Sequence, residues 1–323
     1  MTQTPTRHDV REDTPLLTTE RGFSLAELMI STALTLLVAG AATQGLMQMT
    51  HAQKTIWNRA EMHSGVRSAT ELLQQEVGQA GRVSMPGAIT TTSAVAAGGR
   101  TFTVDTVAGL FAGEVVVLGA GATSESVSIA AIDTANKTLT VDNTGTGTGT
   151  GVYIAHASGT PARVYGGFAA GVVPTTTANG STATVLKLFG DVNSDGNMVY
   201  VEYTCDTTNH KLLRNMMPWN AGTKTALSDA QVLLSNIVAN PGGAACFTYQ
   251  QQVVGTNTFV TDVAITLTVQ TQQQDPITRQ YQYETKALLN VSPRNVFDVW
   301  ELASQGSSDR VQPTPASISA LLP

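Results

Sequence analysis

Arg21-Gly22-Phe23-Ser24-Leu25-Ala26-Glu27-Leu28 opens an apolar run that carries no Asp, Glu, Lys or Arg from Leu28 to Thr50. At 1.5 Å per residue, about 20 apolar residues cross the hydrocarbon core of a bilayer, and this run has 23. Glu27 stands at its head. An acid beside a membrane-length segment is costly in lipid and points to function.

Residues 1–22 form a charged leader holding Arg7, Asp9, Arg11, Glu12, Asp13, Glu20 and Arg21, with no apolar core of its own. It is therefore not an ordinary secretory signal peptide. The flanking charge is mixed and sets orientation only weakly. Downstream of Thr50 the pattern becomes amphipathic. Ile56, Ala60, Val66, Ala69, Leu73, Val77 and Ala80 recur every three or four residues, whereas Lys54, Arg59, Glu61, Arg67, Glu71 and Glu76 lie mostly off that stripe. No proline interrupts from Phe23 to Met85, so one helix is expected. Its apolar half covers 23–50 and its amphipathic half 51–82, and Gly78, Gly81 and Pro86-Gly87 end it.

Composition favours a β-rich extracytoplasmic head. Of 323 residues only 13% are charged, and the net charge of −6 leaves no basic stripe for a nucleic acid. Thr101–Val104, Glu114–Leu118, Ser126–Ile129, Lys137–Val141 and Val152–Ile154 read as short strands of a small sheet or barrel-like module inserted at 98–156. The Thr/Gly tract 144–151 lacks the ending of a phosphate loop and reads as a hairpin tip. Thr184–Phe189, Met198–Cys205, Lys211–Asn215, Phe247–Gln252, Asp262–Thr271 and Gln280–Leu289 supply a second block, a β head over 157–303. Gln231–Asn236 is too short to class. The Ser-, Pro- and Gln-rich tail 304–323 reads as disordered. The fold class is α+β: a long N-terminal helix packed on an antiparallel sheet, with an inserted β module.

Cys205 and Cys246 are the two cysteines. In an oxidising compartment they form one disulfide closing a loop of about 40 residues, worth up to roughly 4 kcal/mol in the chain-entropy account. In a reducing one they are two buried thiols. Asp191-Val-Asn193-Ser-Asp195-Gly196-Asn197-Met-Val-Tyr-Val-Glu202 fits the oxygen-ligand spacing of a calcium loop. Asp191, Asn193, Asp195, Asn197 and Glu202 would be the ligands of a Ca²⁺ ion. Against this, Met198–Tyr203 reads as a strand, which would carry Glu202 away, and a solvated Asp/Asn/Gly turn fits as well. The five histidines are not at metal spacing, and no nucleophile-elbow, HExxH or Walker pattern occurs. Nothing points to an enzyme.

Gly22-Phe23-Ser24-Leu25-Ala26-Glu27-Leu28-Met29-Ile30 resembles the leader junction of type IV prepilins and of type II secretion pseudopilins. The resemblance covers roughly the first 80 residues. It implies cleavage between Gly22 and Phe23 by a membrane prepilin peptidase, methylation of the new Phe23 amine, and pairing of Glu27 with an N-terminal amine during assembly. A buried amine and carboxylate are each expensive alone and tolerable together. Many major pilins have a proline where this chain has Gln44, so Gly40 and Gly45 are its weak points in the helix. The Asp-rich turn before a Val-x-Tyr strand, Lys211-Leu212-Leu213-Arg214, and Pro293-Arg294-Asn295 resemble PilW-like minor pilins.

The expected function is that of a minor pilin in a pilus or its priming or tip complex. Its partners would be the peptidase, other minor and major pilins, the inner membrane and a pilus-tip adhesin. The precursor would span the inner membrane once, with a periplasmic head, before export to the cell surface. The same leader serves a type II secretion pseudopilin. A surface adhesin using module 98–156 or the Asp-rich loop is a reading of a different class, and a plain membrane-anchored β protein is a third.

Overall fold

The computed structural model describes residues 22–85, 87, 89–143 and 149–323, the side chain of Leu289 excepted. Residues 1–21, which carry most of the leader, and residues 144–148 of the Thr/Gly tract lie outside the described residues. The chain divides into two units, one ending at Lys54 and one running from Thr55 to Pro323.

Helix α1 spans Leu25–Gln79. In the first unit every described residue from Gly22 to Thr50 is exposed. This is a helix long and apolar enough, by length and composition, to span a membrane. In the second unit α1 turns one face inward: Met62, Val66, Ala69, Leu73 and Val77 are buried, followed by Ala80 beyond its end. The stripe thus starts later than its periodicity predicts. Ile56 is 65% exposed and Ala60 is also exposed. Polar contacts take over at that level: the Thr55 hydroxyl donates to Asp275 at 2.8 Å, Arg59 bonds Gln282, and His63 pairs with Glu284.

Gly81 stops the helix with φ +81 and donates its N–H to Phe189 O at 2.9 Å. A Cβ there would lie 2.7 Å from Val296, so the conformation and the close approach both require glycine.

The inserted module follows. β1 (Ile89–Thr90), β2 (Thr101–Thr103), β3 (Val115–Leu118), β4 (Glu125–Asp133), β5 (Thr138–Asp142) and β6 (Pro161–Arg163) run in the order β1-β6-β3-β4-β5-β2. The ends of that sheet meet: Thr91 bridges Val104, Asp105 N–H donates to Thr90 O at 3.0 Å, and Thr92 N–H to Thr103 O at 2.8 Å. The sheet is therefore a closed barrel, which removes its edges. Phe102, Leu118, Ile129, Leu139 and Val141 fill it.

The module is wider than 98–156, because β1 and β6 lie outside those bounds. Strands of two and three residues show no alternation to read. Val152–Ile154 is not a strand. The backbone N–H groups of Tyr153 and Ile154 donate to the Glu125 carboxylate at 2.6 and 2.9 Å, and His156 Nε2 stands 2.8 Å from it. A side chain replaces the ladder there.

β7 (Gly167–Phe168) leads to the head. Its first sheet is β8 (Val185–Gly190), β9 (Val199–Asp206), β10 (Lys211–Pro218) and β11 (Val232–Ser235), ordered β11-β10-β9-β8. Its second comprises β12 (Ile237–Val238), β13 (Phe247–Val254), β14 (Asn257–Gln270) and β15 (Tyr283–Val291), with β14 bonded to all three others. These pairings are all antiparallel. Both sheets and the stripe of α1 share one core containing Leu186, Tyr203, Phe247, Ile265 and Leu267. The fold is α+β: a long N-terminal apolar helix followed by antiparallel sheets.

The tail 304–323 corrects the expectation of disorder. After α2 (Arg294–Ser304), β16 (Val311–Gln312) pairs in parallel with β7, and α3 (Ala316–Leu321) buries Ile318 and Leu321. These pack with Phe111, Phe168, Phe189 and Tyr200. A few well-placed apolar residues anchor a segment whose composition is otherwise polar.

Candidate functional site

The head of α1 is built by its own side chains. Glu27 N–H donates to Ser24 Oγ at 3.2 Å, and Ser24 N–H donates to Glu27 Oε2 at 3.3 Å. This is a reciprocal capping box that satisfies two donors otherwise orphaned at a helix start. Glu27 therefore has a local partner in this chain, one that the Ser-x-x-Glu spacing signals. Gly22 and Phe23 lie just before the cap, and both are exposed.

Along the apolar run the hydroxyls turn back onto the helix. Ser31 donates to Glu27 O at 2.5 Å, Thr32 to Leu28 O at 2.9 Å, Thr35 to Ser31 O at 2.7 Å, Thr43 to Ala39 O at 2.7 Å and Thr50 to Leu46 O at 2.8 Å. A segment facing hydrocarbon must satisfy its polar atoms internally, and these hydroxyls do so.

The Asp191 turn follows β8. Asp191 is buried, and its two oxygens accept the N–H groups of Asp195 at 2.9 Å and Gly196 at 3.2 Å. Arg82 Nε lies 3.8 Å from the same carboxylate. Asp195 accepts the N–H of Asn197 at 2.9 Å, and Asn193, Asp195 and Asn197 are exposed. Glu202 is not at the turn. On β9 it accepts from Tyr200 Oη at 2.8 Å and Lys224 Nζ at 2.7 Å, with Lys187 Nζ 3.7 Å away. The strand carries it off, and two cations neutralise it. Glu202 therefore does not join the other residues of the calcium-loop pattern, whereas Asp191, Asn193, Asp195 and Asn197 share the turn. Among the described residues no group of three or more His, Cys, Asp or Glu converges as a metal site.

Cys205 and Cys246 are joined as a disulfide, with Cα atoms 6.5 Å apart. Cys205 lies on β9 and Cys246 immediately precedes β13, so the bond ties the two sheets together under α1.

Two polar centres escape the sequence pattern. Glu76, expected on the wet face, is buried and receives the Arg214 guanidinium and the Tyr203 hydroxyl. Burial, then the Glu76 charge, pushes the Tyr203 phenol far above its ordinary range. A second such centre surrounds Lys187, whose ammonium donates to Asn179 O at 2.8 Å and Leu322 O at 2.5 Å. Burial lowers its pKa, and the nearby Glu202 charge opposes that shift. Neither is a nucleophile–base pair facing a cleft, and both join elements of the fold.

No protein-family model, curated protein or solved structure matches the chain.

Proposed function

We propose that the chain is a minor-pilin-like subunit, cut between Gly22 and Phe23 by a prepilin peptidase and drawn from the inner membrane into a fibre or its priming complex. The observation that carries this reading is the division of α1. Its first half, headed by the Glu27 cap, exposes its apolar side chains all round. Its second half buries one face in a disulfide-tied β head. An apolar helix with no cover of its own needs lipid before assembly and neighbouring helices after it. Removal of the leader would free an amine at Phe23 and give Glu27 a charged alternative to its Ser24 cap. The oxidised cysteines accord with an extracytoplasmic head.

The test is co-expression with a prepilin peptidase, followed by intact mass and N-terminal sequencing. The expected product begins at a methylated Phe23, and Gly22→Val leaves the precursor uncut. A mature protein that keeps residue 1 beside an active peptidase would overturn the proposal. Partners recovered by crosslinking in the native cell then separate the two assemblies: pilins for a pilus, secretion-channel components for a pseudopilus.

A further inference from the structure

The chain carries more acid than base, 24 residues against 18. Yet one cleft of about 470 Å³ is lined by two arginines and no carboxylate. It lies where three parts of the chain meet. The barrel contributes the Gly119–Gly121 turn, Ser124 and Arg163 at the end of β6, the link to the head contributes Tyr165-Gly166, and the tail contributes Arg310.

The guanidinium of Arg310 stacks over the Tyr165 ring, 5.2 Å from its centroid. Arg163 Nη1 stands 3.5 Å from Tyr165 Oη. Two cations are thus gathered around one phenol. Asp309 is the acid nearby. It reaches Arg310 only at 3.5 Å and also accepts the Ser126 hydroxyl at 3.0 Å. Among the described residues Arg163 pairs with no carboxylate. Gly166 holds the arrangement together, because at its φ of +90 a Cβ would fall 1.9 Å from Arg310 O. Only glycine lets the tail backbone come this close.

Guanidinium forks match the oxygens of phosphate and sulfate, and charge-assisted bonds to them are among the strong ones. Tyr165 accepts from Arg163 and keeps its own proton to donate. The cleft is also larger than one anion needs, and its size falls within the range of small-molecule sites. We propose that this cleft binds the phosphate or sulfate group of a small molecule, with Arg163 and Arg310 holding the oxyanion and the barrel turn facing the organic remainder. This role is independent of leader processing.

The test uses the full chain in maltoside micelles, titrated calorimetrically at constant ionic strength with inorganic phosphate, inorganic sulfate, glucose 6-phosphate and glucose. Glucose 6-phosphate is expected to bind at least tenfold more tightly than glucose, with either inorganic anion competing. Arg163→Gln and Arg310→Gln should each weaken it at least tenfold. Arg163 is exposed and holds no ion pair, so its variant should melt with the parent, and an unchanged melting temperature shows that affinity, not folding, was lost. Absence of oxyanion binding, or equal affinity in Arg163→Gln, would overturn the proposal. So would arginine-dependent binding seen only with phosphatidylglycerol vesicles, which would move the ligand from a small molecule to a lipid headgroup.

Discussion

Glu76 of α1 and Arg214 of β10 form an ion pair beneath the helix, the carboxylate side chain 1% exposed and the guanidinium 20% exposed. Arg214 Nε is 3.2 Å from Glu76 Oε2, and Tyr203 bonds the same oxygen. Breaking a buried pair strands the remaining charge and costs about 3–5 kcal/mol. Glu76→Ala is therefore expected to destabilise the head by about 3 kcal/mol, and Tyr203→Phe by about 1 kcal/mol. Urea denaturation followed by near-UV circular dichroism measures both. A Glu76→Ala loss below about 1 kcal/mol would show that water reaches the pair.

The disulfide closes a separation of 41 residues, which the chain-entropy account values at about 4 kcal/mol. Alkylation without reduction should leave the intact mass unchanged. The Cys205→Ser/Cys246→Ser double variant should unfold at clearly lower urea. Two alkylated thiols in unreduced native protein would refute the pairing.

Glu114 gives the barrel an inverted pH response. It has no exposed surface, its Oε1 has no hydrogen-bond partner, and its Oε2 accepts the Phe111 N–H at 3.3 Å. Burial, only partly opposed by that bond, raises its pKa from 4.5 to about 8. Between those values the native state keeps a proton that the unfolded chain has released. The stability this group contributes is full below pH 4.5 and is lost as pH rises toward 8, at about 1.4 kcal/mol per pH unit. Glu114→Gln should flatten that slope and raise the melting temperature at pH 8. A parent slope that Glu114→Gln leaves unchanged would assign the effect to other groups.

The tail is expected to act as a fastening. The Gln312 side chain bonds Val115 N–H at 2.9 Å and Val115 O at 2.8 Å, while Leu322 O receives Lys187. A chain ending at Arg310 loses both attachments and uncovers Phe111 and Phe189. Limited proteolysis should then cut between barrel and head, with increased binding of an apolar dye. Unchanged protection would mean that the tail covers the junction without holding it.

Much of the fold was legible because long elements carry long patterns. The run from Leu28 to Thr50, the alternation along β14 and the Asp/Asn/Gly turn after β8 can each be read within one window of sequence. What escaped depends on partners far away in the chain. β1, β6, β7 and β16 are too short to show a period, and barrel closure rests on Thr91 finding Val104. Glu76 reads as solvated until Arg214 and Tyr203, more than 120 residues on, are brought to it. Glu202 kept the spacing of a ligand, but β9 turned it toward Lys187 and Lys224. At the N-terminal site, Glu27 was recognised by its place ahead of the apolar run, while its bond to Ser24 lay unread in the same eight residues.

Ile89 pairs with Ala162, and Thr90 with Pro161, so the chain enters and leaves the barrel on neighbouring rungs of one ladder. A segment whose two ends lie side by side is a cassette. It can be lengthened, exchanged or deleted by joining its stumps with a short turn, without changing the path of the helix or the head strands. Variation in such a chain can therefore concentrate in the cassette while α1 and the disulfide-tied sheets stay constant, provided that any replacement still offers Gln312 of the tail a backbone N–H and C=O placed like those of Val115.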